Sequence, residues 1–403
     1  MIKYLDERYL DPAEELAKLK YKLKSLGGLL VGGTITACCW AVYKGDEKFY
    51  REILMPSIRY VDAEKAHRMA VLLLKYKLYK GNPLETTTLP SQVMGLKFKN
   101  PIGMAAGFDK HGEAVESLLQ NVGCGFTEVG TITPLPQDGN EKPRVFRLSE
   151  DQAVINRYGF NSEGHEVVYE RLKHSNLSDK KMGIIGINLG KNKTTVDPSV
   201  DYVLGIEKFG DLADYFVINI SSPNTPGLRN LQKKELLESL LDSLIKARDR
   251  VNRNVPLVLK IAPDLTQSEI EDIADAVYKR KNRLQGIIVS NTTITRPDTL
   301  QSEHKHEAGG LSGRPLKELS TLTISQIYKL TNGEIPIIGV GGVETGEDAY
   351  DKIKNGASLI QLYTSMVFHG PPIIAKINRE LDEKLKSEGY SSVSEAVGKA
   401  IKL

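Results

Sequence analysis

The sequence predicts an α/β fold, a (β/α)8 TIM barrel that follows an N-terminal membrane-associating extension. Eight short apolar runs alternate with helix-length segments, every run ends in a polar or glycine-rich cluster, and an uncharged stretch lies near the N-terminus. The apolar runs are 102–104, 126–129, 183–187, 215–220, 257–261, 286–289, 336–340 and 359–362. The helical segments are 113–120, 162–172, 202–209, 233–251, 267–278, 317–330, 347–355 and 373–386.

Length and composition agree with one barrel and exclude several other classes. A barrel of about 250 residues with an N-terminal extension accounts for the 403 residues. The net charge of +3, with 26% charged residues, gives no polybasic surface for nucleic acid. The three cysteines, Cys38, Cys39 and Cys124, have the spacing of neither a disulfide framework nor a metal site. His304 and His306 lie in a loop without further ligands, so we predict no metal centre.

The N-terminal segment predicts one membrane crossing. Residues 1–24 contain acids and a series of lysines, and resemble neither a transit peptide nor a secretory signal. Residues 25–43 carry no charge and as a helix would extend roughly 28 Å, enough to cross a bilayer core. The alternative is a buried glycine-rich helix. The lysine excess predicts that the bulk of the protein lies across the membrane from the N-terminus.

Two helix-like patterns follow in residues 47–80, with a predicted break at Met55-Pro56. The second pattern is amphipathic with flanking lysines, which is typical of a helix on a membrane surface or of one packed on the main domain. Both interpretations hold if the helices form an apolar passage from the bilayer to the barrel. We therefore divide the chain into a tail (1–24), a transmembrane helix (25–43), an amphipathic helical segment (44–80) and a catalytic barrel (81–403).

The most informative loop is 219–229, which follows the apolar run 215–220. Its hydroxyls, amides, prolines and glycine cannot continue a strand or a helix, so it forms a shaped loop at a strand's carboxyl end. Polar groups gathered at such a position favour catalysis over packing. Ser222, between Asn219 and Asn224, is the candidate reactive side chain.

Other strand ends predict an anionic cofactor. Gly313, the glycines after the seventh strand, and Tyr363-Thr364 after the eighth occupy the places where TIM barrels commonly bind phosphate. Lys110 and Lys260 follow apolar runs, and buried lysines are costly unless they meet negative charge. A flavin whose reduced ring is anionic, together with an anionic substrate, would supply that charge.

Several motifs, in order along residues 49–390, resemble those of class 2 dihydroorotate dehydrogenase, the membrane-bound, quinone-linked family of pyrimidine synthesis. They are NPIGMAAGFDKHGEA, RVFRLSEDQAVINRYGFNS, INLGKNK, NISSPNTPGLR, KIAPDLT, SNTT, GGLSGRPL, PIIGVGGV and QLYTSMVFHGPP. The resemblance implies FMN at the barrel mouth, (S)-dihydroorotate stacked on the flavin, and ubiquinone entering between the N-terminal helices. Class 1 relatives have a cysteine where this chain has Ser222, which favours class 2.

The resemblance also assigns roles to residues. Ser222 takes the place of the base that removes the C5 proton, while hydride passes from C6 to flavin N5; its own proton would leave through a hydroxyl or water relay that includes Thr225. The substrate-binding positions are Lys110, Asn156, Arg157, Tyr158, Gly159, Phe160, Asn219, Asn224, Asn291 and Thr292. The FMN-binding positions are Ala106, Gly107, Lys110, Thr131, Asn188, Asn219, Lys260, Ser290, Gly313, Gly342, Tyr363 and Thr364.

The quinone site implied by the resemblance contains His67, Arg147 and Tyr363, while Arg59 replaces a glutamine of some relatives. The expected location is the mitochondrial inner membrane, with the barrel in the intermembrane space. Two alternatives stay open at this point. One is a flavin enzyme with another cyclic imide or a soluble acceptor, which the choice of electron acceptor would reveal. The other is a flavin-binding module without turnover, in which dihydroorotate would not bleach the flavin.

Overall fold

In a computed structural model, which describes residues 12–175, 183–251 and 255–402, eight parallel strands close into a barrel. They are β1 Ile102–Met104, β2 Phe126–Ile132, β3 Ile184–Leu189, β4 Tyr215–Asn219, β5 Leu257–Ile261, β6 Gly286–Val289, β7 Ile337–Val340 and β8 Ala357–Leu362. Each strand pairs with its neighbours in chain order, and β8 pairs with β1. The predicted TIM barrel is confirmed.

The helices lie outside the barrel and before it. Those of the barrel region are Val115–Ser117, Gly164–His174, Pro198–Phe209, Lys234–Arg250, Gln267–Tyr278, Lys317–Leu330, Gly346–Lys354, Thr364–His369, Ile373–Ser387 and Val393–Ala396, with a π-helix at Leu118–Val122 and 3-10 turns at Leu228–Gln232, Glu303–His306 and Arg314–Leu316. Local signals fix their ends. Thr266 and Glu269, for example, form a reciprocal capping box at the start of Gln267–Tyr278.

Two small sheets at opposite ends of the barrel escaped the sequence-based prediction. An antiparallel hairpin, Ser91–Val93 and Leu96–Phe98, closes the amino end, where the ring of Phe98 contacts that of Phe126 edge to face at 5.4 Å. A three-stranded antiparallel sheet, Val145–Leu148, Ala153–Asn156 and Gly310–Gly313, lies over the carboxyl end. The hairpin therefore closes the amino end of the barrel, and the three-stranded sheet forms a wall over the carboxyl end.

The first helix extends through Pro12–Lys44, beyond the predicted apolar stretch at its amino end. Residues 1–11 of the predicted tail lie outside the described residues. Within the described part of the chain, Ala13–Lys44 is the helix long and apolar enough to cross a membrane; an 18-residue window has mean hydropathy 1.6, and none of that window is buried. Leu29 is 74% exposed. The structure therefore leaves most of this helix without protein packing, while Val42 at its carboxyl end packs against the core.

The predicted helix break at Met55-Pro56 is wrong. Helical turns continue from Glu47–Phe49 through the π-helical Tyr50–Leu54 into Met55–Ile58, and Ala63–Lys75 begins after a turn. Pro56, which has no backbone N–H, follows the π-helical turn, where the regular hydrogen-bond pattern of the helix is already interrupted. The chain therefore reverses at residues 59–62, and Asp62 caps the second helix by accepting a bond from the Lys65 amide.

Candidate active site

A polar cavity occupies the carboxyl end of the barrel, where the strand ends meet the three-stranded sheet. It encloses about 1170 Å³ outside the protein atoms, its open mouth included. The predicted site residues that line it are Ala106, Gly107, Lys110, Thr131, Asn156, Tyr158, Gly159, Phe160, Asn219, Ser222, Asn224, Lys260, Ser290, Asn291, Thr292, Gly313, Gly342, Tyr363 and Thr364. The structure thus brings residues from distant segments into one chamber.

Two predicted residues do not line this cavity. Asn188 is fully buried beneath it. The guanidinium of Arg157 points away, since it binds Glu307 at 2.6 Å and the carbonyl oxygens of Ala308 and Pro143. Arg157 therefore braces the loops around the mouth.

The structure separates two adjacent serines of the 219–229 loop. The Ser221 hydroxyl is fully buried; it donates to Asn219 Oδ1 at 3.1 Å and accepts from Asn291 Nδ2 at 3.0 Å. Ser222 lines the cavity, where its Oγ accepts a bond from the Asn224 amide at 3.2 Å. Its hydroxyl proton has no acceptor among the described residues, so Ser222 is the serine that can exchange a proton with a ligand.

The loop that carries Ser222 is held from outside the cavity. Arg229 donates to the carbonyl oxygens of Ser221 and Thr292, both at 3.0 Å, and pairs with Asp264 at 2.8 Å. These bonds tie the loop after β4 to the segments after β5 and β6. The buried Thr225 hydroxyl has no hydrogen-bond partner within the described residues. Ser222 thus sits in a fixed loop, three residues before a buried hydroxyl that has no partner among the described residues.

Beneath the cavity, amide side chains form one connected network. Asn188 Oδ1 accepts from the Thr131 hydroxyl at 2.6 Å and from Asn219 Nδ2 at 3.2 Å. Asn219 Oδ1 in turn accepts from Asn291 Nδ2 at 3.3 Å. Because buried amides that are bonded on both sides cannot rotate freely, the network fixes which groups face a ligand.

Two lysines give the cavity a positive potential. Burial lowers the pKa of Lys110 to about 8, and the neighbouring Arg144 contributes to that decrease; the ammonium lies 4.2 Å from the centre of the Tyr158 ring. Burial also lowers the pKa of Lys260, while the carboxylate of Glu128, 3.9 Å away, acts in the opposite direction. Neither ammonium donates a hydrogen bond to another described residue, so both are available to an anion.

A second cavity, which we call the apolar cavity, lies between the N-terminal helices and the barrel. It encloses about 1100 Å³ including its mouth, and its walls are mainly the apolar side chains of helices 47–58 and 63–75. Tyr363 lines both cavities, and its ring centre lies 5.9 Å from that of Phe108 and 5.8 Å from that of His67. An aromatic wall is therefore shared by the two chambers.

His67 and Arg147 both line the apolar cavity. His67 Nε2 lies 2.7 Å from the Phe108 carbonyl oxygen and so carries the proton, while Nδ1 faces the Tyr158 hydroxyl at 3.3 Å. Burial lowers the His67 pKa to about 4, so the ring is neutral near pH 7. Arg147 donates to the carbonyl oxygens of Ile58 and Val61 and thereby holds the turn between the helices. Arg59 is exposed and lines a surface groove instead.

The polar cavity fits a flavin nucleotide. Neither Lys110 nor Lys260 donates a hydrogen bond to a described residue there, and the backbone amides of Gly342 and Thr364 have no such acceptor among the described residues either. Such amides suit phosphate oxygens. Gly313 has φ +96°, and a Cβ there would lie 2.3 Å from the Gln152 carbonyl oxygen. Only glycine therefore lets this segment approach a ligand and its neighbouring strand together.

Several contributing residues were missed by the sequence-based prediction. Val145, Val154 and Ser312 line the cavity from the three-stranded sheet. Glu128 and Gln361 are fully buried in β2 and β8 and bond to each other at 2.6 Å. Glu128 could have been noticed in the sequence, because it is a charged residue inside the apolar run FTEVGTI. Such a run is expected to be a buried strand, in which a charged side chain is rare.

Comparisons with known proteins agree with this geometry. A family model described as dihydroorotate dehydrogenase matches residues 88–385. "Dihydroorotate dehydrogenase (quinone), mitochondrial" from Mus musculus is 50% identical over 380 residues, 92% of this chain and 94% of that protein. "Dihydroorotate dehydrogenase (quinone)" from Xanthobacter autotrophicus is 47% identical and covers 86% of this chain and 98% of its own. The crystal structure of DHODH in complex with ferulenol from Eimeria tenella has a TM-score of 0.83 and 42% identity, and covers 87% of this chain and 99% of that one.

The fold and the two adjoining cavities define a barrel oxidoreductase with a polar chamber at the strand ends and an apolar chamber beside it. The chain belongs to the dihydroorotate dehydrogenase family, in its quinone-dependent class. It is an oxidoreductase, and the reaction of this class is the oxidation of dihydroorotate with a quinone as acceptor. The resemblance inferred from the motifs is confirmed.

Proposed function

We propose that the polar cavity holds FMN and (S)-dihydroorotate together, and that the apolar cavity receives ubiquinone. The observation that carries this proposal is the wall of Tyr363, which belongs to both cavities. Bound FMN would accept hydride from the substrate and deliver electrons to the quinone. Two substrates of opposite polarity could thus reach one cofactor without meeting each other.

The ends of the cavity suit the two ends of FMN. The free amides near Gly342 and Thr364 would hold the phosphate, and Lys260 would place positive charge at the other end, beneath the ring. Thr131, Asn188 and Asn219 support that end through their shared hydrogen bonds. The chain supplies orientation and charge, which are the usual tasks of a protein around a flavin.

Asparagine side chains would recognise the substrate, because a pyrimidine-dione edge alternates donors and acceptors and each amide offers both. Asn156, Asn219, Asn224 and Asn291 line the cavity and come from three separate segments. Lys110 would meet the substrate carboxylate or the flavin. Such a set of fixed groups orients the ring with C5 toward Ser222.

Ser222 would act as the base that removes the C5 proton. A serine hydroxyl is a weak base, so it must pass its own proton to another acceptor as it takes one. The unpartnered Thr225 hydroxyl, three residues along the same loop, supports a relay through that residue. The buried position of Ser222, 6% exposed, would keep bulk water from the transfer.

The four predicted parts of the chain follow from this function. The helix Pro12–Lys44 would anchor the protein in the mitochondrial inner membrane, and helices 47–58 and 63–75 would rest on the bilayer so that the apolar cavity opens into it. Exposed apolar side chains such as Ile53, Met69 and Tyr76 support that contact. The lysines at the amino end of this helix would keep the N-terminus in the matrix and the barrel in the intermembrane space.

The test is anaerobic reduction of the purified, full-length protein by dihydroorotate, followed at about 450 nm, where oxidised flavins absorb. We expect the absorbance to fall on addition of dihydroorotate and to return on addition of a ubiquinone analogue. A flavin that stays oxidised with dihydroorotate would contradict the substrate assignment. A reduced flavin that reacts with a soluble acceptor but not with the quinone analogue would contradict the role of the apolar cavity.

A further inference from the structure

Glu128 lies inside the barrel at a depth where a carboxylate is rare. It is 0% exposed and does not line either cavity. Its Oε1 accepts from Asn188 Nδ2 and its Oε2 from Gln361 Nε2, both at 2.6 Å. Lys260 Nζ lies 3.9 Å from Oε1. A charged group at this depth requires a reason, since burial of a carboxylate is costly even when it is paired.

The bonds that start at Glu128 have a fixed direction. An ionised carboxylate only accepts, so Asn188 must turn its NH2 group toward Glu128 and its carbonyl oxygen toward Thr131 and Asn219. Asn219 must then present its NH2 group to Asn188. Its carbonyl oxygen is thereby turned toward Asn291. One acceptor in β2 thus sets the amide orientation of a series of side chains across the barrel.

The end of this series reaches the ligand chamber. Thr131, Asn219, Asn291 and Lys260 line the polar cavity, whereas Glu128 lies behind them. Reversal of one amide would place two NH2 groups, or two carbonyl oxygens, against each other in a site without room for rearrangement. The orientation set by Glu128 therefore decides which hydrogen bonds the cavity offers.

We propose that Glu128 is a positioning residue for the flavin and the substrate: it orients Asn188 and, through it, Asn219, and it holds Lys260 in place beneath the ring. This inference rests on the proposed function, because it assumes that FMN occupies the polar cavity. It extends that function by one residue that touches neither ligand. Its action passes through the amide series and the ion pair with Lys260.

The variant Glu128→Gln tests the proposal. Glutamine removes the charge that pairs with Lys260, and its NH2 group must face an NH2 group of Asn188 or of Gln361, so one amide has to reverse. We expect FMN affinity, measured by flavin fluorescence during titration of the apoprotein, to fall about 10–100-fold, the range by which metal sites lose affinity when a partner that orients a metal ligand is removed. The KM for dihydroorotate should rise, and the absorption spectrum of bound flavin should shift.

A second variant restores the direction of the bonds. In Glu128→Gln with Gln361→Glu, the glutamine at 128 can accept from Asn188 and donate to the carboxylate at 361. We expect this exchanged pair to recover most of the FMN affinity that the single change removes. Asp201→Asn is the matched control, since Asp201 is also buried and bonded, to the Asn192 amide at 2.7 Å, but lies outside the series.

The outcomes separate this proposal from the proposed function. Wild-type protein that binds no FMN would overturn the proposed function. Wild-type protein that binds FMN while Glu128→Gln binds it equally well, with the same KM and spectrum, would overturn the role of Glu128. If Glu128→Gln does not fold, the exchanged pair decides: a folded pair with near-normal FMN affinity supports the proposal, whereas weak binding, or failure of the pair to fold, overturns it.

Discussion

The two cavities that meet at Tyr363 are built in different ways. The polar cavity stands on the ends of barrel strands, whose register fixes each side chain, and its side chains are joined by hydrogen bonds across the barrel. The apolar cavity stands on two short helical segments, whose polar ties to the barrel side include those of Arg147 to the turn, of Arg68 and Lys75 to Glu113, and of Arg144 to Glu64. Val71 and Leu74 of the second helix pack into the hydrophobic core.

This difference predicts how each cavity responds to change. A rigid polar framework tolerates few substitutions, because each lost bond leaves another buried group unpaired. A wall of apolar side chains tolerates many substitutions, provided that its volume is kept. Alterations in the polar cavity should therefore affect the reaction with dihydroorotate severely, and those in the apolar cavity should affect the reaction with quinone by smaller steps.

The largest effect is expected for Ser222→Ala. Loss of a positioned base typically costs about 10²–10⁴-fold in rate, so bleaching of the flavin by dihydroorotate should slow by that factor. Reoxidation of chemically reduced enzyme by a ubiquinone analogue should keep its rate, because Ser222 does not line the apolar cavity. Stopped-flow absorbance at both stages checks the prediction. Ser243→Ala, on the helix Lys234–Arg250 and outside both cavities, serves as control, and an equal loss in both stages would contradict the prediction.

A filled apolar cavity should show the reverse pattern. Ala70 lines that cavity, and Ala70→Trp should reduce the rate of quinone-dependent reoxidation by about 10–200-fold, the range for misfit groups in apolar pockets. Bleaching by dihydroorotate should keep the wild-type rate. Lys65→Trp is the control, since Lys65 is exposed on the same helix and lines neither cavity. Slow bleaching in Ala70→Trp would show that a change in the apolar cavity also affects the reaction with dihydroorotate in the polar cavity.

The strand-end residues of the polar cavity could be placed from the sequence pattern, for a physical reason. Ser222, Lys260 and Asn219 were found because a parallel barrel gathers its strand ends at one edge, so position along the chain implies position in space. Glu128 was missed because its importance depends on partners in other strands. The partners of a buried carboxylate cannot be read from the residues beside it.

The N-terminal helices show the limits of local signals. Pro56 predicted a break, yet the chain continues as a helix and reverses only at residues 59–62. Arg147, which holds that turn by donating to the Val61 carbonyl oxygen, lies in a strand 86 residues further along the chain. The three-stranded sheet over the mouth was missed for a similar reason, since Gly310–Gly313 has no strand-like composition and pairs with Ala153–Asn156 only through the tertiary fold.

The dependence on pH should also differ between the cavities. Lys110 has a pKa of about 8, so above pH 8 it loses the charge that attracts an anionic ligand. Affinity of the FMN-loaded protein for orotate should therefore fall as pH rises above 8, by at most about tenfold per pH unit for one proton. His67, with a pKa of about 4, stays neutral from pH 6 to 9, so the KM for quinone should not change there. Titrations with orotate across that range give the measurement.

Lys110→Arg is the control for this profile. A guanidinium keeps its charge throughout the range, so the affinity for orotate in this variant should be independent of pH, even where it is weaker than in the wild type. The charge of Lys110 is preserved below pH 8, and the two profiles should diverge only above that value. A decline of equal slope in both proteins would assign the titration to another group.

The smallest effect should come from the cap of the helix Ala63–Lys75. Asp62 accepts a hydrogen bond from the Lys65 amide at 2.9 Å, and Asp62→Ala should destabilise that helix by about 1 kcal/mol. Faster amide hydrogen exchange within the helix and a rise of a few-fold in the KM for quinone should follow, because this helix carries one wall of the apolar cavity. Asp197→Ala removes an equivalent cap, at 2.9 Å from the Ser199 amide, from a helix of the barrel. That variant should leave the KM for quinone unchanged, since Pro198–Phe209 contributes no residue to the apolar cavity. If Asp62→Ala and Asp197→Ala raise the KM for quinone equally, the N-terminal helices and the barrel respond as one rigid unit.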